Sequence, residues 1–136
     1  MDDVVLNKAA IIERCLLRIR EEHGGDDANL TGNLARQDSI VLNLQRACEA
    51  SIDLAMHLVR RLRLGIPQET REAFALLGQG GHIPAALVEP LQRMVGFRNV
   101  AVHDYQKLNL AIVQAIVAGH LAELEQFAHY AVRNFA

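Results

Sequence analysis

The feature that most constrains the fold is a long apolar seam in the first half of the chain. Small and aliphatic residues recur there at alternating steps of three and four: Val41, Leu44, Cys48, Ser51, Ala55, Leu58 and Leu62. This spacing places all of them on one side of an α-helix and is typical of a helix packed in a bundle or at a dimer interface. The seam predicts one long helix over residues 31–64, which Gly65-Ile66-Pro67 would end.

The other segments also have helical periodicity, and no run alternates with the period of two that a strand requires. Asp2 or Asp3 can cap a first helix, which ends at Gly24-Gly25. The apolar face of this helix consists of Val5, Ala9, Ile12, Leu16 and Ile19. A short helix over residues 68–77 follows the long one, and a glycine-rich loop follows the short helix.

Pro84 is suited to be the first residue of the next helix, which would end near Asp104-Tyr105-Gln106. A last helix over residues 108–134 carries one apolar stripe, made of Leu110, Val113, Val117, Leu121, Leu124, Ala128 and Ala131. We therefore predict a single all-α domain over residues 1–136, an up-down helical bundle of four long helices and one short helix.

Composition limits the classes of function. The net charge of −2 argues against a broad basic surface for nucleic acid, so any phosphate site must be local. Arg60, Arg61 and Arg63 are better interpreted as a solvated helix end than as a phosphate track. No apolar run approaches the ~20 residues that cross a bilayer. The acidic start does not resemble a signal peptide, and the isolated Cys15 and Cys48 suit free thiols, so we expect a cytoplasmic protein.

Ionisable residues interrupt the helix that follows Pro84. One stripe of this helix consists of Leu87, Leu91, Met94, Arg98, Val102 and Tyr105, and a polar stripe beside it consists of Gln92, Gly96, Asn99 and His103. Arg98 thus occupies a position that should be buried or face a partner. A charge there is costly unless it forms an ion pair or is solvated in a cleft. On an ideal helix Arg98 and His103 are about 140° apart. They can serve one site if the helix ends near His103 or a two-fold axis brings in a second copy.

Arg98, His103 and Tyr105 match an R-x4-H-x-Y motif, and Asn99 supplies a polar residue directly after the arginine. With this motif the chain resembles the HepT-type ribonucleases of the HEPN family, and Gly81-His82-Ile83-Pro84 and the segment 38–55 are also similar to that family. The resemblance implies a homodimeric, metal-independent endoribonuclease toxin of a bacterial type VII toxin–antitoxin pair. It further implies that a minimal nucleotidyltransferase antitoxin (MNT) neutralises the toxin by transferring AMP to Tyr105.

These residues can be given roles toward an RNA substrate as a hypothesis. His103 would act as general base or acid, Arg98 would bind the scissile phosphate, and Asn99 would orient the histidine or the phosphate. Tyr105 would position RNA and accept AMP, and no cofactor or catalytic metal is expected. Three structural alternatives stay open: Arg98 pairing with Glu49 or Asp53, His103 as a helix-end histidine, and Tyr105 as a core tyrosine. A catalytically silent partner of a nucleotidyltransferase is the alternative function, and His82 is a further candidate for a supporting role.

Overall fold

The computed structural model describes all 136 residues and consists of seven α-helices with no strand, which confirms the all-α class. The helices are α1 (Asp3–His23), α2 (Ala28–Thr31), α3 (Leu34–Arg61), α4 (Thr70–Gln79), α5 (Ala85–His103), α6 (Leu110–Gly119) and α7 (Leu121–Phe135). A 3₁₀ turn over Tyr105–Lys107 joins α5 to α6. None of these helices combines the length and the apolar character needed to cross a membrane.

A continuous core of 35 buried apolar residues joins the helices. Helix α3 lies at its centre, with α1 along one side, α4 and α5 along another, and α7 against α1. The predicted seam is buried along α3 except at Leu62, and the hydroxyl of its one polar member, Ser51, donates to the carbonyl of Ala47 at 2.9 Å. Phe74 and Phe127 meet edge to face with ring centroids 5.7 Å apart, which joins α4 to α7.

Local capping chemistry set several boundaries as predicted. Asp2 caps α1 by accepting hydrogen bonds from the N–H groups of Val4 and Val5, and Gly24 ends the helix with φ 60°. Pro84 differs from the prediction by one position. Its ψ of 134° makes it the N-cap of α5 rather than the first helical residue.

The prediction of one helix over residues 31–64 was wrong at its start. Residues Ala28–Thr31 form a separate short helix, and α3 begins only at Leu34. The physical reason is Asn33, whose extended backbone and side-chain oxygen cap α3 by accepting from the N–H of Arg36 at 3.1 Å. The apolar seam begins only at Val41 and therefore does not mark where the helix begins.

The prediction of one last helix over residues 108–134 was also wrong, as was the count of four long helices and one short helix. The chain leaves helical geometry at His120, with φ −125° and ψ 0°, directly after Gly119, a poor helix former. Two helices, α6 and α7, result. The break places α6 beside the end of α5, where the two helices border a groove of about 540 Å³ lined by Met94, Phe97, Val100, Ile112 and Ile116.

Candidate functional site

The motif lies where α5 ends, and the helix ends at His103 as expected. Asp104 takes up a non-helical conformation, and its N–H donates to the carbonyl of Val100 at 2.9 Å. Its carboxylate pairs with Lys107 at 3.4 Å, directly after the helix end. His103 is exposed on the last helical turn and makes no hydrogen bond or ion pair within the chain.

This lack of a partner distinguishes His103 from four of the other five histidines. Four of them lie 2.7–3.1 Å from carboxylates, as the pairs His23–Asp27, His57–Asp2, His120–Glu123 and His129–Glu13. The ring of His82 lies against that of Phe135, with centroids 6.4 Å apart. His82 precedes α5 while His103 ends it, so the two histidines lie at opposite ends of that helix. An imidazole free of carboxylates is available to exchange a proton with a ligand.

Arg98 is half-buried, and its guanidinium turns toward the next residue along the chain. Nη1 of Arg98 donates to Oδ1 of Asn99 at 3.0 Å. The Nε–H group of Arg98 is buried and has no acceptor in the protein. A buried donor without an acceptor costs about 1–3 kcal/mol, and such groups in folded proteins often belong to functional sites. Asn99 thus contacts the guanidinium of Arg98, a contact that differs from the expected one to the histidine or the phosphate.

The structural alternative for Arg98 was wrong, because neither carboxylate proposed as its partner pairs with it. Glu49 accepts a hydrogen bond from Gln45 at 2.9 Å, and Asp53 forms an ion pair with Lys8 at 3.1 Å. Arg98 instead lies near Cys48 of the α3 seam. Burial raises the pKa of the Cys48 thiol to about 12, while the positive charge of Arg98 opposes part of that rise.

Tyr105 begins the 3₁₀ turn directly after the helix, and 48% of its surface is exposed. The alternative that Tyr105 is a core residue was therefore wrong. Its hydroxyl donates to Oδ1 of Asp38, near the start of α3, at 3.2 Å. Partial desolvation and the negative charge of Asp38 raise the pKa of Tyr105 above its ordinary value. Sequence reasoning missed Asp38, because only the packing of α3 on α5 brings these residues together.

The apolar stripe of α5 is buried only in its first part. Leu87, Leu91 and Met94 are core residues, as predicted. Val102 is 44% exposed, and the buried residues of the last two turns are Phe97 and Ala101 instead. Three aliphatic side chains near the motif remain exposed: Val100, Val102 and Ile112. The end of α5 is thus an open surface with an uncovered apolar border.

Comparison with known proteins identifies relatives over nearly the whole chain. Residues 12–131 match the family described as Ribonuclease HepT-like. The chain is 50% identical over 127 residues to the mRNA nuclease HepT of Shewanella oneidensis, covering 93% of this chain and 95% of that protein.

The chain belongs to the HepT-like ribonuclease family. Two solved structures superpose on it with a TM-score of 0.91, each covering 98% of this chain and 100% of the other. One is the tri-AMPylated HEPN toxin of Shewanella oneidensis in complex with MNT antitoxin, at 47% identity, and the other is a toxin–antitoxin with AMP-PNP, at 46%. The HepT-like fold therefore includes all seven helices described above.

Proposed function

We propose that this HepT-like ribonuclease is the toxin of a type VII toxin–antitoxin pair and cuts mRNA without a metal ion. The observation that carries the proposal is the open end of α5, where Arg98 and His103 both lack a carboxylate partner. A cation and an uncommitted imidazole near one helix end suit a phosphodiester substrate. The name of the Shewanella oneidensis relative supports mRNA as the substrate class.

In the proposed reaction, His103 takes the proton of a ribose 2′-hydroxyl. The 2′-oxygen attacks the adjacent phosphorus, the bond from phosphorus to the 5′-oxygen breaks, and that oxygen receives a proton. The second proton transfer falls to the imidazolium just formed or to the His103 of a second copy. Arg98, oriented by Asn99, stabilises the charge that grows on the phosphate oxygens. The products are a 2′,3′-cyclic phosphate and a 5′-hydroxyl.

We propose that this single domain of 136 residues works as a homodimer in the cytoplasm, with the two motifs facing one cleft. The exposed aliphatic side chains around the motif support an interface there, because soluble monomers rarely leave such patches uncovered. The groove between α5 and α6 extends the same apolar surface. The two free, buried cysteines suit a reducing compartment.

Control by AMP transfer is the second part of the proposal. The MNT antitoxin would bind the toxin, and the Tyr105 oxygen would attack the α-phosphorus of ATP, releasing pyrophosphate and the hydroxyl proton. The tri-AMPylated relative in complex with its antitoxin supports this step. Tyr105 lies two residues after His103, so the added phosphate would obstruct and repel RNA at the site.

Purified protein should cut single-stranded RNA in the presence of EDTA and leave 2′,3′-cyclic phosphate ends. Mass spectrometry of the fragments identifies these ends, because metal-assisted hydrolysis by water does not form the cyclic product. An EDTA-sensitive activity would contradict the mechanism. Failure to cut any RNA, together with normal growth on expression, would favour a catalytically silent partner of the antitoxin.

Incubation with the cognate nucleotidyltransferase and ATP should add ~329 Da for each AMP, as covalent transfer of that group requires. Tyr105→Phe should abolish the addition, because it removes the accepting hydroxyl and preserves the ring. Tyr130→Phe is the matched control, since Tyr130 is the other tyrosine of the chain and should remain unmodified. Label on any residue other than Tyr105 would refute the assignment.

A further inference from the structure

An arginine from α4 reaches the motif helix at a glycine. A β-carbon placed on Gly96 of α5 would lie 2.9 Å from Nη2 of Arg71. Apart from the two neighbouring residues and the helix backbone, no other atom would lie within 4 Å of it. The carbonyl of Arg71 accepts a hydrogen bond from the side chain of Gln92 at 3.1 Å. The first turn of α4 is therefore held on α5 by its backbone, while the Arg71 guanidinium occupies the space that any side chain at position 96 would fill.

The place of this contact on α5 connects it to the site. Gly96 lies on the same stripe as Asn99 and His103, at helical steps of three and four. Asn99 draws the Arg98 guanidinium toward this stripe through their 3.0 Å hydrogen bond. The stripe therefore presents, in order, Arg71, the Arg98–Asn99 pair and His103. Gly96 and His103 are seven positions apart and therefore about 10.5 Å apart along the helix axis.

Arg71 is also free to bind an anion. It is exposed, and its side chain makes neither an ion pair nor a hydrogen bond within the protein. Four other arginines hold carboxylates: Arg18, Arg20, Arg61 and Arg93. A guanidinium without a carboxylate, aligned with a second one and a histidine, is suited to a chain of phosphates.

We propose that Arg71 binds the RNA backbone phosphate next to the scissile one, and that Gly96 is required because only glycine leaves room for the guanidinium. The RNA strand then runs along the α5 stripe, with the scissile phosphate between Arg98 and His103. This inference rests on the proposed roles of those two residues. It assigns a role in substrate binding to α4, a helix that contributes no residue to the R-x4-H-x-Y motif.

The test measures binding separately from cleavage. In a His103→Ala background, fluorescence anisotropy with a labelled single-stranded RNA of mixed sequence gives Kd over a salt series. Arg71→Ala should weaken binding about tenfold, the effect of losing one charge-assisted hydrogen-bonded contact. It should also reduce the slope of log K against log salt by about 0.7, the value for one phosphate contact on a single strand.

Gly96→Ala provides an independent variant, because its methyl group would displace the guanidinium without removing any charge. It should weaken binding as Arg71→Ala does, and the double variant should bind no more weakly than Arg71→Ala alone. Thermal unfolding should show Gly96→Ala at least as stable as the parent, since alanine favours a helix interior by about 1 kcal/mol over glycine. Arg71→Lys should keep most of the salt slope and recover part of the affinity.

Arg60→Ala is the matched control, since Arg60 is also exposed and unpaired but lies near the far end of α3. It should leave Kd and the salt slope unchanged. The proposal is overturned if Arg71→Ala keeps the parental slope, or if Arg60→Ala weakens binding equally. Cleavage by the His103→Ala parent would instead refute the catalytic role of His103, and the binding comparison would still report on Arg71.

Discussion

His103→Ala is expected to lower the rate constant of RNA cleavage by a factor of about 10²–10⁴, the usual contribution of a positioned general acid or base. The loss should appear in single-turnover cleavage of labelled RNA, while RNA affinity changes little. The melting temperature should stay close to that of the wild type, because His103 is exposed and has no partner in the fold. Growth arrest on expression should disappear with the cleavage activity.

His129→Ala is the appropriate control for this variant. His129 is also an exposed helical histidine, but it pairs with Glu13 on the surface of α1 and lies far from the motif in sequence. We expect wild-type cleavage from it. Retention of activity by His103→Ala, or an equal loss in His129→Ala, would show that the catalytic base has been assigned to the wrong residue.

Arg98→Ala is expected to reduce cleavage by about 10²–10³, because it removes a donor aimed at the charge of the transition state. Its effect on folding should be small, since the substitution also removes the buried Nε–H group that lacks an acceptor. Arg98→Lys should restore only part of the rate, because an ammonium keeps the charge without the planar fork. Cleavage kinetics and thermal unfolding of the same samples separate the two effects.

Mixing the two inactive proteins tests the shared cleft. If one site takes Arg98 from one protomer and His103 from its partner, a heterodimer of Arg98→Ala and His103→Ala contains one complete pair. Refolding the two variants together should then restore part of the activity, and light scattering should report dimers in every sample. Dimers without restored cleavage would show that each protomer uses its own pair, and monomers would contradict the interface.

The position of Tyr105 gives a physical reason for control by AMP. Its hydroxyl is exposed but already donates to Asp38, so modification must break this hydrogen bond between the turn and α3. The added phosphate would then lie between the negative charge of Asp38 and the path of the RNA. Repulsion from both directions would displace the turn. In the proposed function, the group that blocks phosphate entry would therefore also loosen the segment that follows His103.

The sequence by itself determined the helices and the motif. The α3 seam, the Asp2 cap and the end of α5 at His103 follow from local rules, because apolar periodicity and capping depend on neighbours within a few residues. The same rules missed the breaks at Asn33 and at Gly119–His120. At Gly119–His120 the apolar repeat continues while the backbone changes direction, and near Asn33 the seam has not yet begun.

Only the tertiary structure decided which side chains meet across helices. The Asp38–Tyr105 hydrogen bond joins residues 67 positions apart, and Arg71 reaches Gly96 from another helix. By its place on the stripe, Arg98 could have paired with Glu49. In the structure Glu49 instead accepts a hydrogen bond from Gln45, and Arg98 donates one to Asn99. Periodicity states which face of a helix is apolar but not which residue of a neighbour lies opposite, since that depends on the angle and offset at which helices pack.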